Sequence, residues 1–417
     1  MDIPVEVSGY DSSVRQIMRV EDVTLGTAQQ GFIARYRGQI INPDTEAAYE
    51  QLSNALKPHH LTPLFRWDEK RHSILIIEGL PKPTPDNTRT NLIMFLLTLV
   101  SLLVTGGFLA FGTTIPEGFW AIVLGIITQG WPFALSMIAI LGSHEMGHYL
   151  MGRHHKVHVT LPYFIPLPYP ISPFGTMGAF INMKEIPRNR RQLLDIGAAG
   201  PLAGLIVAIP VILIGLALSP VRPLPSAEQI CPPGTMVEMF APLPTDCEPA
   251  SSLEGNSILY LLLKYISKGE MLPAPAAYTE APALHWLTYI FTGHPLPFGG
   301  RDVTLHPVAW AGWAGLLVTA MNLIPAGQLD GGHVLFVLLG GKRTRKTVPI
   351  ILILLGLLGF VWPGWWLWAV LIFFLGRAHA EPLDQITPLD GKRKALAVLM
   401  VVVFLLVFVP VPLMIMQ

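Results

Sequence analysis

Charged residues are scarce in this chain of 417 residues: they make up 13% of it, about half of the share that soluble domains usually carry. The 28 basic and 28 acidic residues also balance to a formal net charge of zero. This composition excludes a highly charged disordered chain. Because there is no basic excess, it also argues against a nucleic-acid partner.

Cysteine is almost absent as well. The two cysteines, Cys231 and Cys247, cannot build a disulfide framework or a four-cysteine metal site. They lie 16 residues apart within one connection, 220–303, and the sequence leaves open whether they are bridged or free.

The charge deficit is confined to one part of the chain. The first 90 residues carry 22 charged side chains, whereas the other 327 residues share the remaining 34. We therefore predict a small soluble α+β domain over 1–80, a proline-rich linker over 81–90 and a membrane-embedded body over 91–417. No apolar signal-peptide core follows Met1, so we expect the N-terminus on the cytoplasmic or stromal side.

Within the soluble domain, hydrophobic periodicity predicts four elements. The alternating segment 32–40 is typical of a strand, and a helix is predicted to begin after Asp44 and to end near Pro58. Two further strands are predicted at 64–67 and 73–77 with a polar turn between them.

The body contains six apolar segments, and a spanning helix needs about 20 such residues. The fourth segment is broken at Pro325 and Gly327, and we interpret the fifth as a helical hairpin. The segments are 92–111, 119–151, 196–218, 305–339, 348–376 and 396–416. We therefore expect a polytopic α-helical membrane protein with about six to seven transmembrane helices and a core over about 119–340.

Loop charge predicts the orientation of these helices. The connections 151–195, 342–346 and 377–394 are basic, which places them on the cytoplasmic side. The connection 220–303 has eight acids, four bases and many prolines, and we predict an external loop there. Its apolar part, 257–266, is too short to span, so that an interfacial and a re-entrant position both stay open.

The second apolar segment ends in three ionisable residues, His144, Glu145 and His148. Residues i and i+4 share a helical face, so the two imidazoles can hold one metal ion. Zinc suits two neutral histidines and one oxygen ligand, and Glu145 is placed to act as a general base. Ionisable residues inside a span are costly and usually functional, which favours a metal site over chance.

A third ligand has few candidates. Asp330 is the only acid between Asp302 and residue 376, and the helix break before it suits a carboxylate reaching a metal on another helix. We expect Gly331 and Gly332 to permit close packing against a second helix. His333 either supports a metal ligand or is a polar residue near the membrane surface.

Asn322 lies upstream of the same helix break. Its amide can hydrogen-bond a developing oxyanion or the substrate backbone. The alternative is that it satisfies carbonyls that Pro325 leaves without a partner.

These two segments together resemble the site-2 protease family of intramembrane zinc metalloproteases. That family pairs a His-Glu-x-x-His helix with a distant Asn-x-x-Pro…Leu-Asp-Gly helix, and here 144–148 and 322–331 follow in that order. The N-terminal domain and 256–260 look most like the chloroplast, cyanobacterial and archaeal branch, which has no PDZ domain.

The resemblance implies a role for each polar residue of the two motifs. One zinc ion per chain would be bound by His144, His148 and Asp330. Glu145 would be the general base, and Asn322 would be a second catalytic residue.

The resemblance also extends to a glycine-rich, alternating segment, 173–183, which in the family forms a membrane-associated β-hairpin that pairs with substrate. Lipid cannot satisfy the backbone groups of an unwound substrate helix, whereas an edge strand can. The implied substrate-binding residues are Gly175, Thr176, Gly178, Ala179 and Ile181. The alternative is a re-entrant loop that only covers the active site.

We therefore expect an intramembrane zinc endopeptidase whose partners are a transmembrane protein substrate and the lipid bilayer. A transporter or channel is the alternative from another class, but it would need ionisable residues spread over several spans. A catalytically inactive protease-like binding protein is disfavoured by the intact Glu145. The expected location is a bacterial or archaeal cell membrane, with a plastid membrane as the alternative.

Overall fold

The computed structural model describes residues 5–27, 30–79, 87–112, 114–230, 251–375 and 381–416. Within these ranges the chain is mostly helical, with a small sheet near the N-terminus. Cys231 and Cys247 lie outside the described residues, as does most of the predicted linker.

The N-terminal part is an α+β unit built on a four-stranded antiparallel sheet of order β1-β2-β4-β3. The predicted strands and helix are confirmed with small shifts at their ends, whereas α1 and β1 were not predicted. The elements are α1 (Val5–Ile17), β1 (Met18–Leu25), β2 (Ala34–Ile40), α2 (Thr45–Leu56), β3 (Leu61–Asp68) and β4 (Arg71–Glu78). Asp44 accepts hydrogen bonds from two backbone N–H groups at the start of α2, which explains why the helix begins there.

Three long helices follow: α3 (Thr88–Phe111), α4 (Phe119–His154) and α5 (Arg190–Leu218). Among the described residues, these three are long and apolar enough to cross a membrane. They confirm the first three predicted apolar helices.

The predicted fourth span is two helices, α8 (Pro307–Asn322) and α9 (Asp330–Leu339), separated by 323–329 as expected. Glycine lets α8 approach its neighbours closely. A Cβ on Gly312 would lie 2.4 Å from the Ile212 side chain on α5, and one on Gly315 would lie 2.7 Å from Ile140 on α4.

The predicted helical hairpin is also present, as α10 (Gly341–Leu358) and α11 (Gly364–Leu375). The predicted end of the last helix is wrong, because α12 (Gly391–Val407) stops nine residues before Met416. Pro410 and Pro412 cannot continue a helix there. The chain instead forms β10 (Leu413–Met416), which pairs with β8 (Ser251–Glu254).

The connection 220–303, predicted as an external loop, contains regular elements among its described residues, whereas its external position stays a prediction. Its described residues form β7 (Val221–Pro223), which pairs with β9 (Arg301–Val303), and the helices α6 (Ile258–Lys268) and α7 (Pro282–Thr292). Apolar side chains on one side of α6 are buried, which anchors this segment to the helical body.

A buried ion cluster holds α6 in place. The Lys264 ammonium is fully buried, 2.7 Å from a Glu254 carboxylate oxygen and 3.3 Å from one of Asp302. The hydroxyl of Tyr260 also donates to Glu254 at 3.0 Å. The cluster therefore joins β8, α6 and β9.

A two-stranded hairpin lies between α4 and α5. Its strands are β5 (Tyr163–Pro166) and β6 (Thr176–Phe180). The predicted glycine-rich segment thus supplies one arm, and residues before it supply the other.

The N-terminal unit contacts the helical body through residues 381–388. The N–H of Phe65 in β3 donates to the Leu383 carbonyl at 3.0 Å. The N–H of Leu383 in turn donates to the Pro187 carbonyl at 3.1 Å. Close by, Glu46 of α2 accepts from Arg191 at 2.7 Å. The N-terminal unit is therefore tied to the start of α5.

We predict that Lys264→Met lowers the free energy of unfolding by about 3–5 kcal/mol, because it leaves two buried carboxylates without their cation. Lys268→Met, one turn on in the same helix, removes one hydrogen bond to the Ser219 carbonyl and should cost about 1 kcal/mol. Denaturant unfolding in detergent compares the two variants. Equal losses would contradict a structural role for the buried cluster.

Candidate metal centre

Two helices bring three metal-ligating side chains together. His144 and His148 lie one turn apart on α4 and are 3% and 5% exposed. Asp330 is the first residue of α9, and its two carboxylate oxygens lie 3.3 Å from the Nε2 atoms of the two histidines. The three predicted ligands therefore face one another.

The spacing of these ligand atoms fits a zinc ion. Nitrogen and oxygen ligands about 2.0–2.1 Å from a tetrahedral zinc lie about 3.3 Å from each other. Each histidine Nε2 lies 3.3 Å from a different oxygen of the Asp330 carboxylate, and one ligand atom from each of the three residues lies within 4.8 Å of the others. Two imidazoles and one carboxylate are also a donor set that zinc prefers.

The His148 ring is held by a backbone contact. Its Nδ1 lies 2.7 Å from the carbonyl oxygen of Ile196 in α5. Since a carbonyl only accepts, Nδ1 carries the proton and Nε2 is left free to bind a metal.

Glycines on α5 make room for the two histidines. A Cβ on Gly200 would lie 2.0 Å from His148 Nε2, and one on Gly204 would lie 3.1 Å from the His144 Cβ. On α4, a Cβ on Gly147 would lie 2.5 Å from the Ala199 carbonyl oxygen. Sequence reasoning missed the α5 glycines, although their helical spacing within an apolar segment was a signal.

Two further glycines shape the turn that carries Asp330. A Cβ on Gly331 would lie 1.9 Å from the Leu323 carbonyl oxygen, and one on Gly332 would lie 2.4 Å from that of Gly327. The expectation that they pack against a second helix is therefore wrong. They let the start of α9 fold back onto the preceding turn, which brings Asp330 to the histidines.

Glu145 lies beside the ligands and is 4% exposed. Ile181, just after β6, lines the same cavity as Glu145. The strand segment and the predicted general base therefore face one space.

The Asn322 amide also reaches this centre. Its Nδ2 lies 3.3 Å from His144 Nε2. Nearby carbonyls receive other donors: the N–H of Leu323 bonds to Thr319, and that of Ile324 bonds to Met321. This geometry favours a place in the site over the alternative of satisfying carbonyls near Pro325.

A cavity of about 170 Å³ opens onto the three ligands. Ala179 and Ile181 line it, as does His333, whose Cβ lies close to Gly197. His333 was predicted either to support a metal ligand or to lie near the membrane surface, and its place in the cavity wall favours the first of these.

The other predicted substrate-binding residues lie within the hairpin and do not line this cavity. The Thr176 hydroxyl donates to the Ile165 carbonyl at 2.7 Å. The Gly175 carbonyl accepts from Ser101 at 2.6 Å. Gly178 has a φ of 110°, a conformation that favours glycine, and its N–H donates to Thr176.

Comparison with known sequences finds one family. Residues 132–361 match the sequence model of peptidase family M50, a range that includes the ligands, Glu145 and Asn322.

The chain is also similar to named chloroplast proteins. It is 32% identical over 291 residues to "Probable zinc metalloprotease EGY2, chloroplastic" of Arabidopsis thaliana, which covers 69% of this chain and 43% of the relative. It is 29% identical over 281 residues to "Probable zinc metalloprotease EGY1, chloroplastic" of the same plant, covering 67% and 43%. The chain thus spans a little under half the length of these relatives. No solved structure matches it significantly.

We predict that Gly200→Ala lowers the zinc content of the purified protein, because the new methyl group displaces the His148 ring from its ligand position. Gly142→Ala on α4 is the control, since a Cβ there meets nothing within 4 Å. Metal analysis gives the zinc per chain, and circular dichroism checks that both variants stay folded. Full zinc occupancy in folded Gly200→Ala would contradict the proposed close approach.

Proposed function

Because the chain belongs to peptidase family M50, we propose that it is an intramembrane zinc endopeptidase. Its substrates would be membrane-bound proteins, cleaved within or near their transmembrane segments. The observation that carries this proposal is the convergence of His144, His148 and Asp330 beside a buried Glu145.

In this proposal the three ligands hold one zinc ion. When bound, zinc would polarise the scissile carbonyl and lower the pKa of a nearby water molecule. The Ile196 carbonyl would keep His148 in the tautomer that leaves Nε2 free.

Glu145 would move the proton. Its carboxylate accepts a proton from water as the water oxygen attacks the carbonyl carbon, and it then protonates the amine that leaves when the C–N bond breaks. The Asn322 amide would donate to the carbonyl oxygen as negative charge develops on it.

The outer edge of the strand segment would bind the unwound substrate. Thr160 N–H donates to the Asn182 carbonyl, and Lys184 N–H donates to that of His158. Because backbone groups alternate in direction along a strand, the N–H groups of Ala179 and Ile181 point away from the partner arm. A substrate strand could pair along this edge by β-augmentation.

The membrane context also belongs to the proposal. The family and the three long apolar helices make this a multi-pass membrane protein. We propose that α8 with α9, the hairpin of α10 and α11, and α12 complete a body of about six to seven membrane-embedded helices, with the N-terminal unit on the cytoplasmic or stromal side. The chloroplast names of the relatives favour a plastid membrane or a related bacterial one.

The alternatives are less well supported. In a transporter, ionisable groups would follow a path across the bilayer, whereas the described carboxylates inside the predicted spans, Glu145 and Asp330, lie at a single centre. A catalytically inactive relative would not need a buried carboxylate next to the ligands.

We predict that Glu145→Gln keeps its zinc but loses cleavage of a transmembrane substrate by about 10²-fold or more, because the ligands remain while the proton acceptor is gone. Purified protein in lipid vesicles would be assayed together with metal analysis. Asp330→Ala should lose both zinc and activity.

The exposed Glu117→Gln serves as the matched control and should behave like the parent chain. Near-normal cleavage by Glu145→Gln would rule out the proposed mechanism.

We predict that Ala179→Pro impairs cleavage of an intact helical substrate more than cleavage of one with helix-breaking residues at the cut site. Proline removes the outward N–H that would pair with the unwound chain. Ala179→Val keeps this N–H and should cleave both substrates normally. Phe180→Pro removes an N–H that faces the partner arm, so it should reduce folding instead. If Ala179→Pro impaired cleavage of both substrates equally, the strand would not pair with substrate and would only cover the active site.

A further inference from the structure

A second cavity, of about 730 Å³, lies where the N-terminal unit meets the helical body. Its wall combines residues from three distant parts of the chain. β3 contributes Arg66, α5 contributes Arg190, and α10 contributes Arg343 and Arg345. None of these residues belongs to the metal centre.

The cavity carries excess positive charge. Four arginines line it, against two carboxylates, those of Glu69 and Glu381. Glu381 already accepts from Arg345 and from Gln385, at 2.9 Å each.

Two of the arginines keep bonding capacity for a ligand. The Nε of Arg190 is buried and has no hydrogen-bond partner among the described residues. Arg343 is exposed and makes no ion pair with any described residue. The start of α10 also lines the cavity with Gly340 and Gly341, where no side chain caps the helix. These donors together suit a phosphate group.

An apolar groove adjoins this cavity. The groove has a volume of about 230 Å³, lies between α9 and α12, and is lined almost wholly by apolar side chains, among them Val334, Met400, Val401 and Phe404. Leu338 lines both the groove and the basic cavity. The two spaces therefore meet at one residue.

The basic cavity and the apolar groove together form a composite site, and the direction of α9 gives this site a polarity. The helix runs from Asp330 at the metal centre to Leu339 at the basic cavity, about 15 Å for its ten residues. The basic run at 342–346 is predicted to face the cytoplasm. From that surface inward, the residues that line the site change from arginines to apolar side chains. A phospholipid has the same order, with a charged head group followed by acyl chains.

We propose that this composite site binds one anionic phospholipid, with its phosphate among the arginines and one acyl chain along the groove between α9 and α12. A soluble phosphate compound would use the basic cavity but not the groove. Neutral lipid would use the groove but not the excess positive charge. The bound lipid would also join the N-terminal unit to the helix that carries Asp330.

Native mass spectrometry of the full-length protein tests the proposal without any cleavage assay. The protein is released from micelles containing equal amounts of phosphatidylglycerol and phosphatidylcholine, and the retained lipids are counted. We expect one phosphatidylglycerol to be retained in preference. Arg343→Gln should lower its retention about fivefold, as expected for one cationic contact near a membrane surface.

Lys346→Gln is the matched control for the head group, because it removes an exposed charge from the same basic run but does not line the cavity. For the acyl chain, Val401→Trp should fill the groove and lower retention, whereas Val402→Trp next to it should not. Zinc content checks that every variant is folded.

Three results would overturn the proposal. Equal losses in Arg343→Gln and Lys346→Gln would indicate general attraction to a basic surface. Displacement of the lipid by glycerol 3-phosphate, with no effect of Val401→Trp, would identify a soluble phosphate ligand. Equal retention of the two lipids by the parent chain would show that the arginines do not select charge.

Discussion

The helical body must bury two imidazoles and two carboxylates among apolar helices, and the rest of the arrangement depends on this constraint. Such groups are costly away from water unless they are paired or coordinate a metal. Asp330 meets both histidines, and Ile196 accepts from His148. Both imidazoles and the Asp330 carboxylate therefore have partners on other segments.

Close approach of helices is what allows these contacts. His148 reaches the α5 backbone because Gly200 has no side chain, and α4 reaches α5 because Gly147 has none. A larger residue at either position would separate the helices or move a ligand. The break between α8 and α9 has a similar effect, since it places the Asn322 amide and the Asp330 carboxylate at one point.

Contacts of the N-terminal unit converge on the same helix. Glu46 of the N-terminal unit binds Arg191 at the start of α5, and the segment around Leu383 bridges that unit to Pro187. Because the α5 backbone also contacts His148, the N-terminal unit and the metal centre are linked through one helix. The proposed lipid would add a second link, through α9.

Much of the candidate site could be predicted because its signals are local. His144 and His148 share a helical face by their spacing alone, and Asp330 stood out because acids are so rare around it. The roles of Gly200 and Gly204 were not predictable in this way. A glycine in an apolar helix shows no partner until the facing helix is known.

By itself, the sequence determined the three long apolar helices, the metal-ligating pair and the break before Asp330, since each depends on contiguous residues. Only the tertiary structure decided that α12 ends at Val407 and that the chain then pairs with 251–254, because that strand needs a partner some 160 residues away. It likewise decided that Lys264 is buried between Glu254 and Asp302, because the second carboxylate lies 38 residues away in sequence. Local pattern sets which segments are helical, whereas contacts between distant residues set where a buried charge finds its counter-charge.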